Sequence, residues 1–253
     1  MTVAAGPRPA IAGDWCYRPY PLAAGTPQAV CFPHAGGDVT AFAGLAAALA
    51  PALEVRAIRL PARGGRFTDV MPGSFAALVT SVVEGLLPHL RPGSLFYGQS
   101  FGGLLAYEVA RALPAGHRPR IVVPACAPPP AAWPGSIPPT GQRASELLER
   151  CGLAGALPDD PAIRELAVAT IRTDLAVCRS YRPHGEPATF AIHAVTGERD
   201  EALPPSVTAG WAAATTGPFT TSTEPGGHLL ATPLTTGPAT LLRALHAGGP
   251  ARA

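Results

Sequence analysis

Ser100 stands in the pentapeptide Gly98-Gln99-Ser100-Phe101-Gly102, between an apolar run, Ser94 to Tyr97, and a run with helical apolar spacing, Leu104 to Leu113. A strand before and a helix after form the setting of a nucleophile elbow, a tight turn that lifts a serine Oγ clear of a sheet. Glycines at both flanks relieve the crowding such a turn creates. The G-x-S-x-G pattern alone recurs in ordinary turns; the strand–turn–helix setting gives it chemical meaning. A serine hydroxyl is a poor nucleophile near neutral pH and needs an adjacent base, usually a histidine that a carboxylate orients. With this kind of elbow, acid and then histidine follow the serine along the chain.

Two downstream loops supply those partners. Gly197-Glu198-Arg199-Asp200 follows the strand-like run Thr189 to Thr196, and Pro225-Gly226-Gly227-His228 follows another, Phe219 to Thr223. Asp200 and His228 therefore fall at the carboxyl ends of strands, where open α/β sheets build their sites. Of the seven histidines, His228 alone has both the order and the glycine-loop setting. His117, His184 and His246 read as surface residues, His193 as a packed strand residue and His89 as a solvated residue near Pro88. Among rival acids, Glu198 and Glu201 read as turn or surface charges. Asp174 lies in a helix pattern, where a salt bridge or a cap is its simplest role.

Acyl transfer also needs donors for a developing oxyanion. The expected pair is the backbone N–H of Phe101, next after the serine, and that of Ala35 in the loop Pro33-His34-Ala35-Gly36-Gly37. Gly36 and Gly37 allow close backbone approach there. His34 either shapes the pocket or makes a structural hydrogen bond.

These residues need a scaffold. Strand-like runs at Ala29 to Phe32, Glu54 to Leu60, Ser94 to Tyr97 and Ile121 to Ala125 alternate with helical patterns at Thr40 to Leu49, Phe75 to Leu90 and Leu104 to Leu113, with Thr40 a candidate N-cap. That alternation predicts an α/β fold with a mostly parallel, helix-covered sheet. Six prolines between Pro128 and Pro139 then break it. Two helical stretches, about 142–151 and 161–181, precede the return of β pattern, and a last helix is expected over about 238–246. The expectation is one domain, 1–253, with its core at about 26–126 and 186–247 and a helical lid at about 127–185.

Composition narrows the classes. A hydrophobic content of 47% in 253 residues suffices for a sizeable core, and a formal net charge of +2 implies neither a nucleic-acid nor a membrane partner. All 19 basic residues are arginine; with 31 prolines and 28 glycines this suggests a GC-rich coding genome. No stretch reaches the roughly 18 apolar residues that span a bilayer, and no signal-peptide pattern opens the chain, so a cytoplasmic location is expected. Five scattered cysteines without a CxxC pair read as reduced, mostly buried thiols. No metal or cofactor is expected.

The chain resembles a known family. Cys31 to Gly37, Leu60-Pro61-Ala62-Arg63-Gly64-Gly65-Arg66, the GQSFGG elbow, Ile171-Arg172-Thr173-Asp174-Leu175, Gly197 to Asp200 and Pro225 to His228 occur in the order seen in type II (discrete, editing) thioesterases of polyketide and nonribosomal peptide assembly lines. The resemblance covers about residues 28–245. It implies an α/β-hydrolase fold with a helical lid and hydrolysis of acyl groups from the phosphopantetheine arm of acyl or peptidyl carrier proteins. By motif position it implies Ser100, Asp200 and His228 as the triad. The chain departs from the family pattern at Gln99 (usually His), Phe101 (usually Met or similar), Ala62 (usually Gly), Leu229-Leu230 (commonly an aromatic) and Thr173 with Leu175. Phe101 and the lid are therefore the expected sources of a changed acyl pocket.

Three other functions fit the same residues: a cyclising or product-releasing acyltransferase, a small-molecule carboxylesterase, and a degenerate scaffold. Arg56, Arg59, Arg63 and Arg66 cluster in sequence and read either as a basic rim for an acidic carrier or as solvated arginines.

Overall fold

The computed structural model describes residues 15–136, 159–183, 185–232 and 237–248. Among them one sheet runs through β1 (Cys16–Tyr17), β2 (Gln28–Phe32), β3 (Glu54–Ile58), β4 (Leu95–Gln99), β5 (Ile121–Ala125), β6 (Ala191–Gly197) and β7 (Phe219–Glu224). Its order is β1-β3-β2-β4-β5-β6-β7, with β1 antiparallel to β3 and every other pairing parallel. The helices are α1 (Ala43–Leu49), α2 (Phe75–Leu86), α3 (Phe101–Ala112), α4 (Trp133–Ser136), α5 (Pro161–Arg179), α6 (Pro205–Thr208) and α7 (Ala239–His246).

The central strands are mostly apolar because both faces of the sheet are covered. In β2, Ala29 and Cys31 join Leu45 and Leu49 of α1 and Leu242 of α7 in one core. Val30 and Phe32 join Leu78 and Val82 of α2 and Leu104 of α3 in the other. This is the mostly parallel, helix-flanked sheet expected from the sequence.

The differences are local. β1 went unread because two residues carry no alternation. Thr40 is not an N-cap: residues Val39–Phe42 form a 3-10 turn, and α1 begins after it at Ala43. α2 stops at Leu86 and passes into a 3-10 turn, Leu87–His89, because Pro88 supplies no N–H. α5 starts where Asp160 accepts from the N–H groups of Ala162 and Ile163, with Pro161 at its first position. The helix expected over about 142–151 lies outside the described residues. Among those described, no helix is long and apolar enough to cross a membrane.

Strand order positions the site. β2 and β4 are neighbours, although β3 lies between them in the chain. The chain thus turns one way after β2 and the other way after β4, and ligands bind at the carboxyl edge of such a switch point. The loop of Ala35 leaves β2 and Ser100 leaves β4, on either side of it.

Candidate active site

Ser100 joins β4 to α3 with φ 54° and ψ −120°. A non-glycine residue rarely adopts positive φ, at a cost of about 1–3 kcal/mol. The strain is held by the Ser100 N–H donating to Ala125 O at 2.8 Å and by the Gly103 N–H donating to Ser100 O at 2.8 Å. The flanking glycines are needed for approach. A Cβ on Gly98 would lie 2.1 Å from Gly102 O, and one on Gly102 would lie 2.1 Å from Phe32 O.

The three distant motifs meet here. His228 Nε2 lies 2.9 Å from Ser100 Oγ, and His228 Nδ1 lies 3.0 and 3.1 Å from the two oxygens of Asp200. An ionised carboxylate only accepts, so the ring proton sits on Nδ1 and a neutral ring offers the Nε2 lone pair to the serine hydroxyl. Asp200 Oδ1 also accepts from the N–H groups of Ala202 and Leu203, at 3.0 and 3.2 Å. These bonds fix the carboxylate, whose side chain is fully buried. Ser100 remains partly exposed. Glu198 and Glu201 are exposed, as expected of them.

The loop after β2 is held from α5. Asp174, fully buried, accepts from the Gly36 N–H at 2.7 Å and pairs with both terminal nitrogens of Arg63. Arg63 Nη1 also donates to Gly37 O at 3.1 Å. Asp174 is thus the salt bridge expected of it, with a partner 111 positions away in the chain. Gly36 has φ +78°, and a Cβ there would sit 2.3 Å from Ile171 Cγ1 of α5. Phe101 opens α3, so its N–H has no acceptor within the helix.

Two buried histidines are kept neutral. Burial lowers the His34 pKa to about 4, helped by repulsion from His228 and Arg63; burial alone lowers that of His193 to about 4. His193 is packed as expected, between the hydroxyls of Thr220 and Ser222 at 2.7 and 2.9 Å. The arginine cluster is not a basic rim. Arg63 is inside the ion pair, and Arg66 is buried against Asp69 with its guanidinium 4.0 Å from the Trp15 ring centroid. Arg56 reaches Glu54 at 3.5 Å, while Arg59 lies over the Tyr17 ring.

Phe101 is buried edge-on against Phe75, which packs against Tyr181 with ring centroids 4.9 Å apart. Beyond Phe75 lies a cavity of about 480 Å³, lined in part by Val79, Glu108, Arg111 and Tyr181 but not by Ser100. Of the described cysteines, Cys31, Cys126 and Cys178 are buried and Cys16 is partly exposed. Among the described residues no three His, Cys, Asp or Glu side chains are grouped to hold a metal ion. Gln99, a departure from the family pattern, is fully buried at the end of β4. A polar residue ending an apolar strand is its signal in the sequence.

A thioesterase domain model matches residues 27–247. The chain is 29% identical over 235 residues to a Streptomyces griseus protein named "Probable cadicidin biosynthesis thioesterase", covering 87% of this chain and 63% of that relative. It is 30% identical to Thioesterase PikA5 of Streptomyces venezuelae, covering 85% of this chain and 79% of that one. The structure of the type II thioesterase BorB, from the borrelidin biosynthetic cluster, superposes with a TM-score of 0.73 at 28% identity, covering 87% of this chain and 92% of that one. The chain therefore has the α/β-hydrolase fold that its motifs implied, and it belongs to the thioesterase family.

Proposed function

We propose that this chain hydrolyses acyl thioesters carried on the phosphopantetheine arm of acyl or peptidyl carrier proteins, as an editing or releasing enzyme of polyketide or nonribosomal peptide assembly. The observation that carries the proposal is His228 bridging Ser100 and Asp200 on a strained elbow at the sheet's switch point. Ser100 Oγ attacks the thioester carbonyl as His228 Nε2 takes its proton, and Asp200 stabilises the imidazolium that results. The N–H groups of Ala35 and Phe101 receive the oxyanion. Collapse expels the pantetheine sulfur, which takes the proton from His228 and leaves an acyl-serine. Water, deprotonated by His228, then releases the free acid and restores the serine. Residues 127–185, with α5, serve as the lid, and the chain works in the cytoplasm.

The test uses acyl-carrier substrates of several chain lengths with mass analysis of the product. Ser100→Ala should lower turnover at least about 10⁴-fold, and the wild-type product should be a free acid. Hydrolysis that survives the substitution sinks the triad assignment. A cyclic product would transfer the same triad to a non-water acceptor.

A further inference from the structure

Gln99 ends β4, immediately before the nucleophile, and is fully buried. Its Oε1 accepts from the backbone N–H of Leu230 at 2.8 Å, from that of Ala231 at 2.8 Å and from the Tyr97 hydroxyl at 3.0 Å. Its Nε2 donates to Ala231 O at 3.1 Å. Backbone N–H groups can only donate, so the two at 2.8 Å fix which end of the amide faces the loop. The bonds to Leu230 and Ala231 span 131 and 132 positions in the chain. They join the residue before Ser100 to the segment that begins two residues after His228.

That segment has no ladder of its own. Residues 225–232 form neither helix nor strand. On its other side the loop is held by the Arg199 N–H, which donates to Gly226 O at 2.7 Å, and by close packing, since a Cβ on Gly197 would lie 2.2 Å from Gly227 O. The histidine is thus fixed between β6 on one side and the Gln99 amide on the other.

We infer that Gln99 is a positioning residue, whose side-chain amide sets the distance between His228 Nε2 and Ser100 Oγ by pinning the Leu230–Ala231 backbone to the carboxyl end of β4. The inference rests on the triad roles proposed above. An apolar side chain at this place leaves two buried N–H groups without their acceptor, so the loop moves to satisfy them and carries the histidine with it. A displacement of about 1 Å at a reacting pair costs about a hundredfold in rate.

The experiment compares Gln99→Met and Gln99→Glu with wild type, on the full chain, by two readouts taken well below the melting temperature. One is the rate at which a fluorophosphonate labels Ser100, which needs no natural substrate; the other is kcat and KM on an acyl-carrier thioester. Gln99→Met should label and turn over about a hundredfold more slowly, with the loss in kcat and KM within about twofold. Gln99→Glu keeps an oxygen for both N–H groups and should recover at least about tenfold of that loss. A folded Gln99→Met variant that labels at the wild-type rate overturns the inference. If Gln99→Met does not fold, Gln99→Glu decides: labelling as slow as that of Ser100→Ala overturns it, and labelling within about tenfold of wild type supports it. Wild-type protein that labels but leaves carrier thioesters intact overturns the proposed substrate and leaves the positioning role standing.

Discussion

The loop after β2 is fixed from outside the sheet, by an ion pair between Asp174 of α5 and Arg63 of the loop after β3, whereas the loop after β7 is held by a neutral amide on β4. Asp174 and Arg63 hold Gly36 and Gly37 by charge, across elements that share no strand pairing. Gln99 holds Leu230 and Ala231 without charge, from the strand that carries the nucleophile. The first arrangement makes the candidate oxyanion loop depend on the seating of α5. The second ties the histidine loop to the strand that carries Ser100. The candidate site thus has one loop tied to the covering helix and another tied to the central sheet.

Of the two clamps, the charged one gives the larger expected loss of stability. Arg63→Met leaves the fully buried Asp174 carboxylate without its cation, which costs about 3–5 kcal/mol. It also removes the donor to Gly37 O, so turnover should fall about tenfold to a hundredfold. Urea denaturation and steady-state kinetics read the two losses separately. Adding Asp174→Leu removes the orphaned charge and should restore part of the stability without restoring turnover, because the Gly36 N–H then has no carboxylate to hold it. Equal recovery of both would mean that the pair serves stability alone, and the contrast between the loops would fail.

The β6–β7 side of the sheet has an acid limit of its own. His193 lies in β6, beside β7, and burial lowers its pKa from 6.5 to about 4. A histidine held neutral in the fold binds its proton less readily than in the unfolded chain, so stability rises with pH between about 4 and 6.5 and is lost as pH falls through that window. At about 1.4 kcal/mol per pH unit the full loss is about 3 kcal/mol, of which about 2 kcal/mol is gone by pH 5. Urea midpoints at pH 7 and pH 5 should show it, with a smaller difference in His193→Gln. His34 adds its own loss in the same range, from burial and from repulsion by His228 and Arg63. The two proteins differ only by the His193 share. Identical pH slopes would show that His193 is not held neutral.

The same contrast explains what could be read in the sequence. Ser100, Asp200 and His228 were legible because each follows a strand-like run, and parallel strands deliver their carboxyl ends to one edge. The elbow glycines were legible because a tight turn needs them. Neither clamp was. Arg63 and Asp174 are 111 positions apart, and Arg63 sits among arginines that resemble a surface patch. Gln99 meets a loop 132 positions away, and no periodicity marks a side chain that bonds to backbone. β1 escaped for a different reason: it is two residues long and is defined only by Ile58 and Ala57 opposite it.

The smallest expected effect lies inside the neutral clamp. The Tyr97 hydroxyl is the third donor to Gln99 Oε1, and the longest at 3.0 Å. A carbonyl oxygen has two lone pairs, and the two backbone N–H groups already occupy them. Tyr97→Phe removes a buried hydroxyl together with its hydrogen bond and leaves no other group unmatched. The cost should therefore be about 1 kcal/mol or less, read as a small shift of the urea midpoint. Turnover and fluorophosphonate labelling should stay within about twofold of wild type, because Leu230 and Ala231 keep their acceptor. A rate loss as large as that of Gln99→Met would mean that the hydroxyl orients the amide, and the base side of the site would then hang on the ring of Tyr97, packed edge-on at 6.3 Å from Phe42 in the core shared with α1.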